Sequence, residues 1–217
     1  MLRKQTYFTS DLHLGHGNII RYCRRPFLAE ADLEVFDRYF ENGQWIADPP
    51  SSIRHRFSTD AIASMDDTLI EAINSTVRPE DTLWHLGDFA FSTRKSNYEA
   101  ACRRYRDRIN CRDIRFVFGN HDQRSTIRKV FEYTYDLAET EINGVPTVLC
   151  HYAMAIWNRS HHNAFHLYGH SHSAAEAMLD EAFPNRRSID VGVDNAYRIL
   201  GEYRPFSTDE LLERLNR

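Results

Sequence analysis

Aspartate, asparagine and histidine gather in five short polar clusters, each following an apolar run: Asp11-Leu12-His13, Gly87-Asp88, Gly119-Asn120-His121-Asp122, Cys150-His151 and Gly169-His170-Ser171-His172. Hard oxygen donors mixed with imidazoles, and no thiolate requirement, suit borderline divalent ions such as Mn, Fe or Zn. One such cluster is weak evidence. Five of them spread over most of the chain, each at the end of an expected strand, point to a shared metal site.

If the clusters converge, Asp11, His13 and His172 hold one ion, and Asn120, His151 and His170 hold a second. Asp88 then bridges the two. Paired ions can lower the pKa of a bound water to near 7 and make a hydroxide that attacks phosphorus in line. The leaving oxygen needs a proton. His121 follows the Asn120 ligand directly and is the expected general acid, with Asp122 or a backbone carbonyl orienting its ring. A histidine with a pKa near working pH suits that task.

The elements that must position these groups are legible in outline. Thr6 to Ser10 reads as a strand, and the stretch from Asn18 begins a helix that must break near Pro26. Ser58 or Thr59 caps a helix running to about Asn74, whose apolar stripe is Ile62, Met65, Leu69, Ile70 and Ile73. Asp81 to Leu86 reads as the strand delivering Asp88. Ser96 opens a helix with Tyr98, Cys102, Tyr105 and Ile109 on one side. Ile114 to Phe118 is the strand delivering Asn120. Phe131 to Ile142 and Val145 to Cys150 read as two extended runs joined at Asn143-Gly144, the favoured two-residue hairpin turn. Phe165 to Tyr168 delivers the last histidines, Ser188 to Val193 is a final strand, and Ser207-Thr208-Asp209-Glu210 is a capping box. Strands and helices alternate first and strands dominate later, an α/β (α+β) pattern that fits two packed sheets with helices outside. The proposed ligands lie just beyond strand C-termini, where open α/β sheets gather ligand sites.

The chain has 217 residues, enough for one domain over 1–217, with an insertion expected at about 33–58. That insertion holds Trp45, two prolines and the basic run Arg54-His55-Arg56. It is either a lid or substrate wall, or a surface elaboration. No stretch approaches membrane-spanning length, and the start of the chain lacks a signal-peptide apolar region. The four cysteines show no zinc-like or redox spacing, so reduced thiols in a cytoplasmic protein are expected. The net charge of -4 gives no overall polyanion-binding signature, although bound cations would add positive charge where a phosphate sits.

Asp11-x-His13, Gly87-Asp88, Gly119-Asn120-His121-Asp122, His151 and Gly169-His170-Ser171-His172 together resemble, in order and spacing, the calcineurin-like metallophosphoesterase superfamily. The run Asp11 to Ile20, with Arg25-Pro26-Phe27 and His85-Leu86-Gly87-Asp88-Phe89, is similar to a subgroup of small bacterial and phage phosphoesterases. The resemblance covers about Thr6 to Val193. It implies a four-layer αββα sandwich of two mixed sheets flanked by helices. It also implies a binuclear centre, with manganese ahead of iron or zinc, and hydrolysis of phosphodiesters or phosphomonoesters. The partner implied is a phosphorylated small molecule or nucleotide, with no membrane.

Other positions have two readings. His16, Asn18, Trp157 and His162 are candidates for substrate binding. His16 either contacts substrate phosphate or packs. His161, His162 and His166 either reach the pocket or decorate a surface loop. His85, inside a strand, reads as a core histidine. The run Arg103-Arg104-Tyr105-Arg106-Asp107-Arg108 invites a nuclease reading on DNA or RNA, but a solvated helix face is favoured without a basic balance. A scaffold with this fold and no turnover is disfavoured, because neither a ligand nor the acid is missing.

Overall fold

Neighbouring residues in the first sheet send their side chains into two different cores. The computed structural model describes residues 3–216; Met1 and Leu2, in the segment read for a signal sequence, and Arg217 lie outside them. In that sheet, β1 (Thr6–Thr9) pairs in parallel with β4 (Thr82–His85), and β4 pairs with β5 (Asp113–Val117). β6 (Tyr133–Tyr135) extends one side in parallel, and β11 (Phe206–Ser207) closes the other antiparallel to β1. Phe8, Trp84 and Val117 point toward the second sheet, while Leu83 and Phe116 point toward the helices. That alternation is the period-two geometry of a strand buried on both faces.

The second sheet runs β10 (Ser188–Asp190), β9 (Phe165–Tyr168), β8 (Val145–Leu149), β7 (Ala138–Ile142). Its hairpin turns at Asn143 and Gly144, both with positive φ (50° and 82°), as a two-residue primed turn requires. Leu149, Phe165, Leu167 and Ile189 pack onto Phe8, Trp84 and Phe206 between the sheets. The result is an α/β sandwich of two mixed sheets with helices packed outside them.

Helices α1 (Gly17–Tyr22), α2 (Glu30–Phe36), α3 (Thr59–Thr76), α4 (Tyr98–Arg106) and α5 (Arg124–Val130) lie on the first sheet's outer side. α3 starts where its cap predicts: the Ser58 hydroxyl accepts the Ala61 N–H, and Met65, Leu69, Ile70 and Ile73 are buried. α6 (Glu176–Ala182) meets the second sheet through Tyr168 and Glu176. α7 (Val193–Leu200) and α8 (Thr208–Leu215) contribute Ala196, Leu211 and Leu215 to the inter-sheet core. The capping box of α8 forms between Ser207 and Glu210.

Three expectations change. The run from Phe131 to Ile142 divides between the sheets, because β6 pairs with β5 and β7 with β8. The last strand stops at Asp190, whose carboxylate accepts the Gly192 N–H at 2.7 Å and turns the chain into α7. α1 ends at Tyr22, ahead of Pro26, since Arg24 adopts left-handed backbone (φ 51°).

The segment at about 33–58 is folded against the body. It carries a small hairpin of β2 (Phe40–Glu41) and β3 (Gln44–Trp45). Asp32 ties its base by accepting from the Ser58 N–H (2.9 Å) and hydroxyl (2.6 Å), with His55 Nε2 at 2.6 Å. Trp45 Nε1 donates to the Arg25 carbonyl at 2.9 Å. Among the described residues no helix is long and apolar enough to cross a membrane.

Candidate metal centre

The loops leaving β1 and β4 are laced together by backbone bonds. Asp11 N–H donates to the Gly87 carbonyl, His13 N–H to that of Asp88 and Leu14 N–H to that of Phe89, each at 3.0 Å. Side chains must leave this seam sideways, and the backbone turns sharply to send them there. Asp11, His13, Asp88, His170 and His172 all have φ between 48° and 67°, the left-handed region that non-glycine residues rarely occupy. Such strain clusters at functional sites and costs on the order of 1–3 kcal/mol per residue.

Two groups of donors converge. Asp11, His13 and His172 each present an atom within 4.8 Å of the others, and so do Asp88, His151 and His170. His13 Nε2 lies 3.9 Å from Asp11 Oδ1, and His172 Nε2 lies 4.0 Å from it. Asn120 Oδ1 is 3.0 Å from His151 Nε2. Asp11, His13, Asp88 and His151 are buried, whereas Asn120, His121 and His170 are exposed at the rim.

The two aspartates are anchored alike. His170 N–H donates to Asp11 Oδ2 and His121 N–H to Asp88 Oδ1, both at 2.9 Å. One oxygen of each carboxylate is thus held and the other is released. Asp11 Oδ1 is buried with no hydrogen-bond partner, and His13 Nε2 is in the same condition. Asp88 Oδ2 sits 3.5 Å from both His13 Nε2 and His151 Nε2, between the two groups. Orphaned buried polar atoms are costly in a native fold. Ligand atoms bonded to one tetrahedral ion at about 2.1 Å stand about 3.4 Å apart, which is the spacing around Asp88 Oδ2. The donor set fits divalent cations.

The far side of each imidazole fixes which nitrogen faces inward. His151 Nδ1 pairs with the Leu86 carbonyl at 2.7 Å, leaving Nε2 toward Asp88. His172 Nδ1 pairs with Asp194 Oδ2 at 2.6 Å, leaving Nε2 toward Asp11. Supports of this kind set tautomer and ring orientation in metal sites. Asp194 is itself clamped by the fully buried Arg25, whose guanidinium also donates to the carbonyls of Asp11 and Leu12. Cys23 lies with His172 and Asp194 in a third cluster, which these hydrogen bonds already close.

Without a cation, protons gather at these donors. Burial alone would lower the His151 imidazole, but Asp88 and Asp11 raise it to about 9. Burial also opposes protonation of His172, and its bond to Asp194, helped by Cys23 and Asp11, raises it to about 11. Burial raises Asp11 against the pull of His172 and His151, and Asp88 is held well below the usual carboxylate range despite burial, chiefly by His151 and His13.

Asp122 reaches the site through the backbone. Its carboxylate accepts the N–H groups of Asp88 (2.8 Å), Gly119 (2.8 Å) and Phe89 (3.2 Å) and the Tyr98 hydroxyl (3.1 Å). These contacts fix the loop that carries Asp88. The His121 ring lies 5.4 Å from that of His13. Gly119 is required by close approach: a β-carbon there would fall on the Asp88 carboxylate.

His16 stands beside the centre, its ring 5.5 Å from His13 and stacked on Phe91 at 4.1 Å, and Asn18 lines the same cleft. Trp157 and His162 lie elsewhere. Trp157 donates to the Ala164 carbonyl and lines a separate groove against α6, while His162 pairs with His161. From that loop it is Tyr152 that meets the site, 4.8 Å from His170. His166 is buried in β9 on the Val148 carbonyl. His85 is a core histidine stacked on Phe116 at 5.0 Å. Three residues that sequence reasoning gave no site role belong to the support: Arg25, Asp194 and Asp190. Asp190 accepts from the Ser171 hydroxyl at 2.7 Å and the Ser173 N–H at 3.0 Å, bracing the histidine loop.

The chain is 25% identical over its full length to an uncharacterized protein of Methanocaldococcus jannaschii, covering 94% of that protein. It is 23% identical to the gene 66 protein of Mycobacterium phage L5, over 97% of this chain and 94% of the phage protein. A crystal structure of a protein of unknown function from Aquifex aeolicus shares the fold with a TM-score of 0.60 and 22% identity, over 98% of this chain and all of the other. The calcineurin-like phosphoesterase superfamily domain matches residues 64–188, more than half of the chain, a stretch containing Asp88, Asn120, His121, His151, His170 and His172. The chain belongs to the calcineurin-like phosphoesterase superfamily.

Proposed function

We propose that this metal-dependent phosphoesterase is binuclear and hydrolyses phosphodiesters in preference to monoesters. The observation that carries the binuclear reading is Asp88 Oδ2, equidistant at 3.5 Å from an imidazole of each donor group. Asp11, His13 and His172 would hold one ion, and Asn120, His151 and His170 the other, with manganese ahead of iron or zinc. Divalent ions bound there supply Lewis acidity, acidifying a water near neutral pH and neutralising charge on the phosphate oxygens.

The chain's own groups do the rest. Asp88 and Asp11 each offer one oxygen because a backbone amide holds the other. His121, exposed at the rim and tethered by its N–H to Asp88, donates a proton to the departing oxygen. Asp122 keeps the Asp88 and Gly119 loops in register, so it is a positioning residue. Diesters favour this arrangement because a poor alkoxide leaving group gains most from a placed acid, a contribution of about 10²–10⁴ in rate. Three arginines of α4 and the turn after it are engaged within the protein, which gives little support to a long DNA or RNA bound along that helix. Arg103 pairs with Glu99, Arg108 with Asp67, and Arg106 caps the Ile109 and Cys111 carbonyls.

Assay of the manganese-loaded protein on the diester TpT and on the monoester thymidine 5′-phosphate, both of which expel a nucleoside alkoxide, tests the reading. The diester is the better substrate, and chelation abolishes both activities. Faster monoester turnover reverses the preference, and turnover that survives exhaustive chelation removes the metal dependence.

A further inference from the structure

A pocket of about 590 Å³ opens beside the metal centre, with His16 at the junction. It lies between the loop Gly15 to Asn18, the residues after the Leu14–Ala90 bridge, the start of α3 and one face of α4. Its size is the first clue. A bare phosphate needs a small part of this space, whereas pockets of about 300–1,000 Å³ take organic ligands.

Charge is the second clue. Arg56 and Arg104 line the pocket, and among the described residues no carboxylate does. Asp66, the acid behind that wall, is already occupied by the Tyr105 hydroxyl at 2.6 Å and the Gly15 N–H at 2.8 Å. Arg104 gives one N–H to the Tyr105 hydroxyl and has others to offer, since a guanidinium carries five. Arg56 is exposed, and among the described residues it has no ion pair or hydrogen bond. The neighbouring arginines of α4 are engaged elsewhere, so these two are set apart.

The walls are the third clue. Phe91 lies stacked with His16, whose Nδ1 is buried without a hydrogen-bond partner, and Phe57, Ile62 and Tyr105 add apolar surface. Asn18, Thr93 and Asn97 bring polar groups suited to a sugar or to base edges. Aromatic faces take planar bases, and guanidinium groups take phosphate.

We propose that this pocket receives a nucleotide arm of the diester substrate, with Arg56 and Arg104 binding a second, terminal phosphate on that arm. The substrate class is then a short oligonucleotide or dinucleotide ending in a 5′-phosphate. This rests on the phosphodiesterase reading above. His16 stands at the turn between the scissile phosphate and the pocket, and its unpartnered nitrogen takes a hydrogen bond from the arm or donates one to it.

The test uses the dinucleotides pTpT and TpT, which differ only in the terminal phosphate. Calorimetric titration into the chelator-treated full-length protein reads binding without hydrolysis. The phosphorylated dinucleotide binds about tenfold tighter or better, a margin that shrinks with added salt. Arg56→Gln and Arg104→Gln each remove most of that margin. Thermal melts of both variants, with and without manganese, report whether fold and ion uptake survive, and Arg56→Lys with a partly restored margin separates charge from collapse. Equal affinity for the two dinucleotides overturns the proposal, as does a margin that persists in both glutamine variants. Turnover of bis(p-nitrophenyl) phosphate by the manganese-loaded protein is measured alongside. Its absence with the margin intact counts against the phosphodiesterase reading and leaves the anionic pocket standing. Its presence with no margin overturns the pocket alone.

Discussion

Arg25 and Asp194, 169 positions apart in the chain, form a two-pronged ion pair at 2.8 and 2.9 Å directly behind the histidine loop. The pair joins the start of the chain to its last third. The same guanidinium holds the carbonyls of Asp11 and Leu12, and the same carboxylate holds His172. Position of two candidate ligands therefore depends on one buried contact.

Removing one partner leaves the other as an uncompensated buried charge, which costs roughly 3–5 kcal/mol. Arg25→Met should therefore lower stability by about that amount in chemical denaturation. Arg25→Lys should restore little of it, because an ammonium cannot reproduce the planar fork. Asp194→Asn leaves the buried Arg25 guanidinium as the uncompensated charge and should cost a comparable amount. It keeps the volume and weakens the grip on His172, and manganese affinity should fall about 10–100-fold. Unchanged affinity in that variant would show that His172 needs no support from Asp194.

Ion uptake should expel protons. In the ion-free protein His151, at about 9, and His172, at about 11, are both protonated at pH 7. A metal takes the neutral imidazole, so binding must displace those protons and tighten as pH rises from 6 to 8. The sign for stability is opposite in the ion-free protein. These raised pKa values contribute stability that is complete below the unfolded value of about 6.5 and is lost as pH climbs through 9 and 11. Calorimetry in buffers of different ionisation enthalpy should therefore register proton release, and melting of the chelated protein should weaken toward alkaline pH. An affinity independent of pH would contradict this account.

The loop carrying Asp88 should be intolerant of small changes. Asp122→Ala orphans three backbone N–H groups, two of them donating at 2.8 Å, and each unsatisfied buried donor costs about 1–3 kcal/mol. Gly119→Ala adds one methyl group against the Asp88 carboxylate. The first variant should lose several kcal/mol in denaturant titrations. The second, whose β-carbon would also lie 2.6 Å from the Asp88 backbone nitrogen, should lose stability as well as most of its manganese-dependent thermal shift. A Gly119→Ala protein with a full metal response would mean that Asp88 can move aside without loss.

The candidate donors were legible in the sequence because their chemistry is concentrated in compact motifs at strand ends. Asp11, His13, Asp88, Asn120, His151, His170 and His172 need only those strands to lie side by side for the groups to meet. The left-handed backbone of Asp11, His13, Asp88, His170 and His172 was not legible, since propensity assigns that region to glycine, and here aspartate and histidine occupy it at the turns that aim them inward. The supports were hidden for another reason. Asp190 read as the interior of the final strand and Asp194 as the residue just past it, and their roles depend on Ser171, His172 and Arg25, far away in sequence. Arg25 beside Pro26 and Phe27 was visible as part of a motif, but nothing local says that a charged residue there is fully buried. Trp157 and His162 were drawn toward the site by their place between two donor-bearing strands. The loop instead puts Trp157 on the Ala164 carbonyl in a groove against α6, and His162 in a 3-10 turn against His161.

The role of His121 is separable from that of its neighbours by varying the leaving group. Its backbone N–H holds Asp88, and a substitution leaves that bond in place, so His121→Ala should keep manganese binding close to wild type. What it removes is the imidazole at the rim. For a diester with an alkoxide leaving group, kcat should fall by about 10²–10⁴, the range that general acid catalysis supplies. For a nitrophenoxide, which departs without a proton, the loss should be much smaller. Plotting rate against leaving-group pKa for both proteins should give a steeper line for the variant. Parallel lines would mean that His121 acts on the ground-state geometry and donates no proton, and the acid would then have to be sought at His16, beside the centre.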